Sequence, residues 1–294
     1  MLEAIKLKNI AAQIPILADV TRIEPIKGGL TNINYRVDTP LSIFMLRMSN
    51  ETNLLGINRA DEIENLKKAH QAGIAPAVKY FSDKDNILIT NWIEGKTLSL
   101  ADIETEAGLL ERIAKTVKKL HGSPLFEGNF SYPNIRKQYL KTILDNNYFL
   151  PKGYLDVEPR LLELEKKLSL EPEKWVSCHH DLVAANFIDD GQKLWIIDYE
   201  YAGPNEPSFD IGNFAMEKGL NDAQLTAFCE AYWGEHLPEK IARAKACGVL
   251  SSCVWVLWNC IQDAISPIDF DFRGWAEKRW LEILSTLAKE DPSV

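Results

Sequence analysis

The sequence has few of the features expected of a secreted or nucleic-acid-binding protein. Its 5 cysteines form no C-x-x-C pair, and an odd number is typical of reduced thiols. Basic residues are in the minority, with 33 Lys and Arg against 42 Asp and Glu and a net charge of −9. Such an acidic chain is a poor candidate for binding DNA or RNA through their phosphates, although one local cationic group can still hold a nucleotide.

The sequence also has no pattern typical of a signal peptide or a membrane span. Residues 1–7 include Glu3 and lack a long apolar core. The most apolar stretch, Val249 to Ile261, contains Ser251 and Asn259 and is too short to cross a bilayer. We therefore expect a cytoplasmic protein without membrane insertion, either a monomer or a homodimer.

The composition is that of a globular protein. The chain has 294 residues, enough for one large domain or two packed lobes. Its 46% hydrophobic and 26% charged residues exclude intrinsic disorder and fibrous repeats.

The first ninety or so residues are predicted to form strands around one helix. Two short apolar runs, Ile33 to Val37 and Ile43 to Met48, flank the turn Asp38-Thr39-Pro40, which is a hairpin pattern. Gly73 and then Pro76 end the helical pattern that follows. Further elements expected here are a helix at Asn58–Ala72 and strands at Val78–Phe81 and Ile87–Trp92.

Beyond the polar segment Glu94-Gly95-Lys96 the pattern is mainly helical, which predicts a boundary between an N-terminal lobe, residues 1–93, and a C-terminal lobe, residues 94–294. The expected class is α+β, with a small antiparallel sheet and one main helix in the first lobe and a larger, mostly helical second lobe. We expect helices at Glu106–His121, Asn134–Asn147, Pro159–Ser169, Ala223–Trp233, Pro238–Ile265 and Gly274–Leu287, and short strands at Trp175–Cys178, Asn186–Ile188 and Leu194–Asp198.

Three oxygen-bearing side chains give the most informative pattern. Asp181 and Asn186 lie on a predicted loop, and Asp198 follows an apolar strand. This is the spacing of the catalytic loop and the metal-binding Asp of protein-kinase-like phosphotransferases. Such a reaction needs a carboxylate that accepts the proton of the attacking hydroxyl, together with oxygen ligands for Mg²⁺. The alternative is a polar hairpin in which Asp181 and Asn186 only cap turns.

The adjacent His179 and His180 could suggest zinc. No third ligand stands nearby at zinc-like spacing, so we interpret His179 as a brace for the loop.

The first lobe contains residues suited to binding phosphates. The run from Gly28 to Asn34 has paired glycines, through which backbone can approach phosphates, followed by small polar side chains. Arg47 lies on an apolar strand and needs a carboxylate to orient it, and Glu62 on the next helix is favoured over Glu64, which faces another direction. The alternatives are an ordinary hairpin turn and a surface charge on an edge strand.

Together these motifs resemble the choline/ethanolamine kinase branch of the aminoglycoside-phosphotransferase-like, protein-kinase-fold superfamily, from about Ile26 to the last helix. Two further stretches carry the resemblance: I-D-Y-E-Y at Ile197 to Tyr201 with F-D-I-G-N from Phe209, and W-V-L-W-N-C-I-Q from Trp255. The chain departs from the family at His180, where Asn is usual.

The resemblance implies an ATP-dependent, Mg²⁺-dependent kinase of the bilobal protein-kinase-like fold, whose first lobe binds the nucleotide. It implies Asp181 as catalytic base and Asn186, Asp198 and Glu200 as metal ligands. It also implies Asp210 as a loop brace. The implied ATP-binding residues are Gly28, Gly29, Thr31, Asn32, Asn34, Arg47, Glu62, Asn91 and Ile93, the last two through their backbone.

The expected substrate is a small amino alcohol, choline, with ethanolamine as an alternative. A trimethylammonium group has no N–H donors, so electron-rich rings and nearby carboxylates must bind it. The predicted substrate residues are Glu200, Glu217, Trp255, Trp258 and Trp275. Residues 218–222 lack the aromatic residues that eucaryotic members carry there, which leaves one pocket wall and the choice between the two substrates open.

Other functions remain as alternatives. The same fold could phosphorylate thiamine or an aminoglycoside, or the chain could be a non-catalytic kinase-fold binding module. Phosphocholine made by such an enzyme could enter phospholipids or surface polysaccharides, and the sequence does not distinguish these uses.

Overall fold

The structure is a computed structural model that describes residues 13–26, 32–49 and 56–290. Within these ranges a five-stranded antiparallel sheet comes first and a mainly helical part follows. The sheet is made by β1 (Arg22–Ile26), β2 (Asn32–Asp38), β3 (Ile43–Ser49), β4 (Val78–Ser82) and β5 (Ile87–Asn91), in the order β1-β2-β3-β5-β4.

Alternating burial explains how the sheet packs. Tyr35 and Val37 of β2 and Phe44 and Leu46 of β3 are buried, and polar or half-buried residues lie between them. Side chains of a strand point alternately to its two faces, so one face covers a small apolar core. Arg47 belongs to the other face, opposite Leu88 in the register of β3 and β5.

The one long helix of this part, α1 (Arg59–Gln71), crosses between β3 and β4. Asn58 caps its first turn by accepting hydrogen bonds from the backbone N–H groups of Ala60 and Asp61. Its buried residues include Glu62, an acidic side chain among apolar neighbours. A buried carboxylate requires a cationic partner, which the site below provides.

The rest of the chain is built on helices. They are α2 (Leu100–Thr105), α3 (Leu109–His121), α4 (Tyr132–Asn146), α5 (Tyr154–Leu170), α6 (Pro207–Lys218), α7 (Asp222–Trp233), α8 (Pro238–Ile265) and α9 (Phe272–Glu290). Short strands lie among them: β6 (Lys96–Thr97), β7 (Val176–Cys178), β8 (Phe187–Asp189), β9 (Leu194–Ile196) and β10 (Gly203–Asn205).

Helix α8 is the central element of this helical part. It packs against α6 at a crossing where Gly212 faces Gly248, so close that a Cβ added at Gly212 would lie 2.1 Å from the carbonyl oxygen of Ala244. By length and composition α8 could also span a membrane, but 94% of its most apolar window is buried within the fold. The absence of membrane insertion and the cytoplasmic location stay predictions.

The sequence missed several element boundaries. The predicted helix Glu106–His121 is wrong at its start, because a short helix ends at Thr105 and α3 begins only after Gly108, whose φ of 79° interrupts the helical backbone. The helix predicted from Pro159 begins earlier, at Tyr154, so Pro159 lies inside the helix and not at its start. There its nitrogen has no N–H to donate to the carbonyl group four residues earlier. Helix α6 was predicted only as a motif.

The boundary between residues 1–93 and 94–294 stays a prediction. The five-stranded sheet ends at Asn91, and β6 already pairs with β8, a strand of the helical part.

Candidate active site

The loop after β7 carries the predicted catalytic residues. It leaves the strand at Cys178 and ends in a 3₁₀ turn, Ala184–Asn186, directly before β8. The Asn186 Nδ2 donates to the backbone oxygen of Asp181 at 2.9 Å and to its Oδ2 at 3.3 Å. The two predicted residues are therefore in contact through the Asn186 side-chain amide.

Asp210, in the first turn of α6, holds this loop from behind. Its Oδ2 accepts from the backbone N–H of His179 at 2.7 Å, and its Oδ1 accepts from that of His180 at 2.8 Å. Asp210 also lies within 4.8 Å of His121 and Cys178, a buried group of potential metal ligands. Because its oxygens already accept these backbone hydrogen bonds, we interpret Asp210 as the brace that the sequence predicts.

Both histidines of the loop are buried, which favours their neutral form. Burial lowers the pKa of His179, and it lowers the pKa of His180 to about 4. The His179 Nε2 lies 2.9 Å from the backbone oxygen of Ile197, and this contact connects the loop after β7 to the strand segment before Asp198. His180 stacks on Phe130 at 3.8 Å between ring centroids, with its Nδ1 2.7 Å from the backbone oxygen of Tyr201.

Asp198 lies at the junction of two cavities and lines both. Its side chain is 35% exposed, and its φ of 68° turns the chain sharply after β9. Partial loss of hydration of the carboxyl group, reinforced by the negative charge of the nearby Glu200, raises the pKa of Asp198. The Arg47 Nη1 lies 3.5 Å from its Oδ1.

Arg47 and Glu62 form a buried ion pair, as the sequence predicts. Two contacts join them, from Nη1 to Oε1 at 2.5 Å and from Nη2 to Oε2 at 2.8 Å. Burial alone would raise the pKa of Glu62, but the guanidinium groups of Arg47 and Arg59 together outweigh burial, and the pKa is lowered. Glu64 is exposed and pairs instead with Lys67.

A second arginine, Arg59, was missed by the sequence reasoning. It is the first residue of α1, and its Nη1 contacts Glu62 Oε2 at 2.8 Å and Glu200 Oε2 at 3.1 Å. Asn32 also donates to Glu200 Oε2, at 3.0 Å. Asn32 was predicted to bind ATP, and the structure directs its side-chain amide at Glu200.

The first cavity lies between the sheet and the helical part. Five predicted residues line it, together with Asp198: Asn34, Arg47, Glu62, Asn91 and Ile93. The backbone N–H of Asn91 donates to the Ala77 carbonyl oxygen at 3.0 Å, and the Asn91 carbonyl oxygen accepts from Thr90 Oγ1 at 3.2 Å. Of the backbone groups of Asn91, the carbonyl oxygen can still accept a second hydrogen bond from a ligand. The predicted residues Gly28, Gly29 and Thr31 lie outside the described residues.

The second cavity adjoins the first and is lined by aromatic and acidic side chains. Trp255 and Trp258 of α8 approach each other with ring centroids 6.2 Å apart. Tyr201, which the sequence reasoning did not select, accepts a hydrogen bond from Trp258 Nε1 at 3.1 Å. The predicted residues that line this cavity are Asp181, Asn186, Asp198, Glu200, Glu217, Trp255, Trp258 and Trp275.

Glu217 is partly neutralised by a residue that the sequence did not reveal. Arg279 of α9 donates to its Oε2 at 2.9 Å and lies 5.0 Å from the centre of the Trp275 ring. Burial raises the pKa of Glu217, and Arg279 opposes the rise. The acidic wall of the second cavity is thus backed by an arginine.

The carboxylates around the two cavities repel one another. The pKa of Asp181 is raised well above its ordinary value, first by burial and then by the charges of Asp198 and Glu217. A bound cation would relieve this repulsion, and carboxylate and amide oxygens are the donors that a hard cation such as Mg²⁺ prefers. The donor set of Asn186 and Asp198, with Glu200 in the same cavity, therefore fits such an ion.

Comparison with known proteins points to one family. The family model described as choline/ethanolamine kinase matches residues 23–231. Protein LicA of Haemophilus influenzae is 30% identical over 251 residues, which are 80% of this chain and 72% of that protein. Ethanolamine kinase 2 of Rattus norvegicus is 29% identical over 290 residues, which are 88% of this chain and 74% of that protein.

Solved structures agree with this result. A choline/ethanolamine kinase family protein from Mesorhizobium loti has 30% identity and a TM-score of 0.85, over 97% of this chain and 94% of that one. Choline kinase LicA from Streptococcus pneumoniae has 26% identity and a TM-score of 0.81, over 97% and 99% of the two chains. The predicted α+β, protein-kinase-like fold is confirmed.

Proposed function

The chain belongs to the choline/ethanolamine kinase family, and we propose that it transfers the γ-phosphoryl group of ATP to the hydroxyl group of choline, giving phosphocholine. Family membership supports an enzyme that phosphorylates an alcohol. The observation that carries the proposal for this chain is the second cavity, which is lined both by Asp181 and by three tryptophans.

The two cavities suit the two substrates. The first cavity offers Arg47 for phosphate oxygens and the backbone of Asn91 and Ile93 for a base. The second cavity offers indole faces for a quaternary ammonium group. Asp198 belongs to both cavities, so the transferred phosphoryl group would pass beside it.

Asp181 is the proposed catalytic base. Its carboxylate accepts the hydroxyl proton of the amino alcohol while the alcohol oxygen forms a bond to the γ-phosphorus and the bond from that phosphorus to the bridging oxygen of ADP breaks. Asn186 and Asp210 fix the loop so that the carboxylate is held in place before substrate arrives. Catalysis of this kind depends on positioning and on neutralising charge more than on covalent chemistry.

Asn186 and Asp198, with Glu200 close by, are the residues that would hold Mg²⁺. The ion would supply positive charge that offsets the charge of the triphosphate. Glu200 already has two partners, Asn32 and Arg59, so its contribution to metal binding competes with those contacts.

The choice of choline over ethanolamine rests on the tryptophans. Each ring in contact with a quaternary cation contributes about 0.5–2 kcal/mol, a gain that ethanolamine needs less because its ammonium group can donate hydrogen bonds. Ethanolamine is the second candidate, since Glu200 and Glu217 can accept such bonds and ethanolamine kinase 2 is among the similar proteins.

A substrate screen tests the proposal directly. The purified protein is incubated with ATP and Mg²⁺ and with each of choline, ethanolamine, their methylated intermediates, thiamine and an aminoglycoside, and ADP formation is followed. We expect the highest kcat/KM for choline, and no turnover when EDTA replaces Mg²⁺. A higher kcat/KM for ethanolamine would favour ethanolamine kinase activity over choline kinase activity. Turnover of thiamine or the aminoglycoside alone would refute both activities.

A further inference from the structure

One nitrogen atom of Arg59 joins carboxylates that belong to different cavities. The Nη1 lies 2.8 Å from Glu62 Oε2 and 3.1 Å from Glu200 Oε2. Glu62 lines the first cavity and Glu200 lines the second. Arg59 itself lines neither, so it can act on ligands only through these two carboxylates.

The Arg59 contacts extend an ion chain that begins at Arg47. Glu62 Oε2 accepts from Arg47 Nη2 and from Arg59 Nη1, each at 2.8 Å. The side chains of Glu62 and Glu200 are 1% and 5% exposed, and that of Arg59 is 14% exposed. Water therefore screens these charges poorly, and a change at one end of the chain alters the charge balance at the other.

We propose that Arg59 is a positioning residue that couples nucleotide binding to amino-alcohol binding by controlling how far Glu200 is neutralised. The inference rests on the proposed function, because it takes the first cavity as the nucleotide site and the second as the amino-alcohol site. Arg47 Nη1 joins Glu62 to Asp198, which lines both cavities, whereas Arg59 Nη1 joins Glu62 to Glu200, which lines only the second.

The direction of the coupling follows from the shared oxygen. Without nucleotide, the charge of Glu62 is divided between Arg47 and Arg59, and Arg59 in turn neutralises Glu200. When nucleotide phosphates attract Arg47, Arg47 interacts less with Glu62. Glu62 then interacts more strongly with Arg59. Arg59 then neutralises Glu200 less, and Glu200 presents more negative charge to a cation in the second cavity.

Coupling of this kind is reciprocal and measurable. If nucleotide tightens choline binding by a given factor, choline must tighten nucleotide binding by the same factor. We expect a factor of about 5 or more for the unaltered protein, the lower end of ordinary coupling between sites.

The test is Arg59→Met, with calorimetric titration of choline in the absence and presence of saturating AMPPNP and Mg²⁺. In the variant, the contribution of Arg59 to neutralising Glu200 is absent both with and without nucleotide. We therefore expect choline to bind the nucleotide-free variant more tightly than the nucleotide-free wild-type protein, and the coupling factor to fall below about 2. Simple structural damage would weaken choline binding in both states and not produce this gain.

Arg112 offers a matched control. Its Nη1 also contacts two carboxylates, Glu106 Oε1 at 3.2 Å and Asp189 Oδ2 at 2.7 Å, and none of the three residues lines either cavity. Arg112→Met should keep the coupling factor of the wild-type protein. Arg59→Gln is prepared in parallel and should lose coupling like Arg59→Met.

The outcomes separate this inference from the proposed function. Wild-type protein that binds neither choline nor AMPPNP refutes the proposed function. Wild-type binding without coupling, coupling that persists in Arg59→Met, or equal weakening in both states overturns the role of Arg59 alone. If both Arg59 variants fail to fold while Arg112→Met folds, Arg59 is structural and the proposal is overturned as well.

Discussion

Glu62 is the charge on which the buried part of the site depends, and Glu62→Gln removes it with little change in shape. The carboxylate accepts from Arg47 and Arg59, and its side chain is 1% exposed. Among the described residues, the carboxylate contacts that remain after the substitution are those of Arg47 to Asp198 at 3.5 Å and of Arg59 to Glu200 at 3.1 Å.

The expected cost is large for a single substitution. Removing one partner of a buried ion pair destabilises proteins by about 3–5 kcal/mol, because the other charge remains buried and uncompensated. Glutamine still accepts one hydrogen bond, so we expect the lower end, about 3 kcal/mol, and a fall in Tm of roughly 6–10 °C. Nucleotide affinity should fall as well, because Arg47 loses the partner that orients it.

Glu64→Gln is the matched control. Glu64 lies on the same helix, its side chain is 53% exposed, and it contacts Lys67 at 2.6 Å. Exposed pairs of this kind contribute about 0–1 kcal/mol, so this variant should melt close to the wild-type protein. Thermal and urea denaturation, followed by circular dichroism, compare the two.

Acid pH gives a second measurement of the same interaction. The ordinary pKa of the Glu62 side chain is 4.5, and Arg47 lowers it in the folded protein. A group whose pKa is lowered by folding stabilises fully above its unfolded pKa and loses this contribution as the pH falls through the folded value. The difference in free energy of unfolding between wild type and Glu62→Gln should therefore be largest at neutral pH and should decrease as the pH falls below the ordinary pKa. Equal stability of the Glu62 and Glu64 variants at neutral pH would refute the reasoning.

Three further predictions concern the base, the pocket and the helix crossing. Asp181→Asn should lower kcat by at least about 10²-fold while calorimetry shows nucleotide binding largely intact, and substantial remaining turnover would exclude Asp181 as the base. Because burial raises the pKa of Asp181 and the base must be unprotonated, wild-type kcat/KM should decline towards acid at a pH above the ordinary value of 3.8. Trp258→Ala should raise KM for choline by about 5- to 30-fold, more than KM for ethanolamine, in steady-state assays; equal changes would argue against a ring contact. Gly212→Ala forces a Cβ to 2.1 Å from a backbone oxygen and should lower the free energy of unfolding, measured in urea, by about 3 kcal/mol. Gly122→Ala is the control: its Cβ would meet nothing closer than 3.5 Å, and it should change the free energy of unfolding by about 1 kcal/mol or less.

The parts of the site that could be predicted from the sequence are those whose geometry is local. Asp181 and Asn186 share one loop, so their contact follows from a short stretch of chain. Trp255 and Trp258 are three apart on one helix, and that spacing places them on one face. The Arg47–Glu62 pair, 15 residues apart, was predicted from the cation–glutamate pair of protein-kinase-like phosphotransferases, and helical geometry distinguished Glu62 from Glu64.

Conformations that depend on distant packing were harder to predict. His180 has a φ of 68°, a left-handed conformation that asparagine adopts more readily than most residues. The departure from the family's Asn therefore looks unfavourable from local preference alone. Stacking on Phe130 and the contact with the Tyr201 carbonyl group stabilise the histidine there, and neither partner is near in sequence.

The two arginines that the sequence did not reveal show why charge in such a site is difficult to read from motifs. Arg59 contacts Glu200 across 141 residues, and Arg279 contacts Glu217 across 62. Sequence motifs contain the acidic residue, because that residue faces the ligand. They do not identify the arginine that pairs with it. The charge that a cationic substrate experiences is nevertheless the difference between acid and counter-ion. Residues behind the pocket wall, and not only those that line it, therefore decide how strongly this site attracts an amino alcohol.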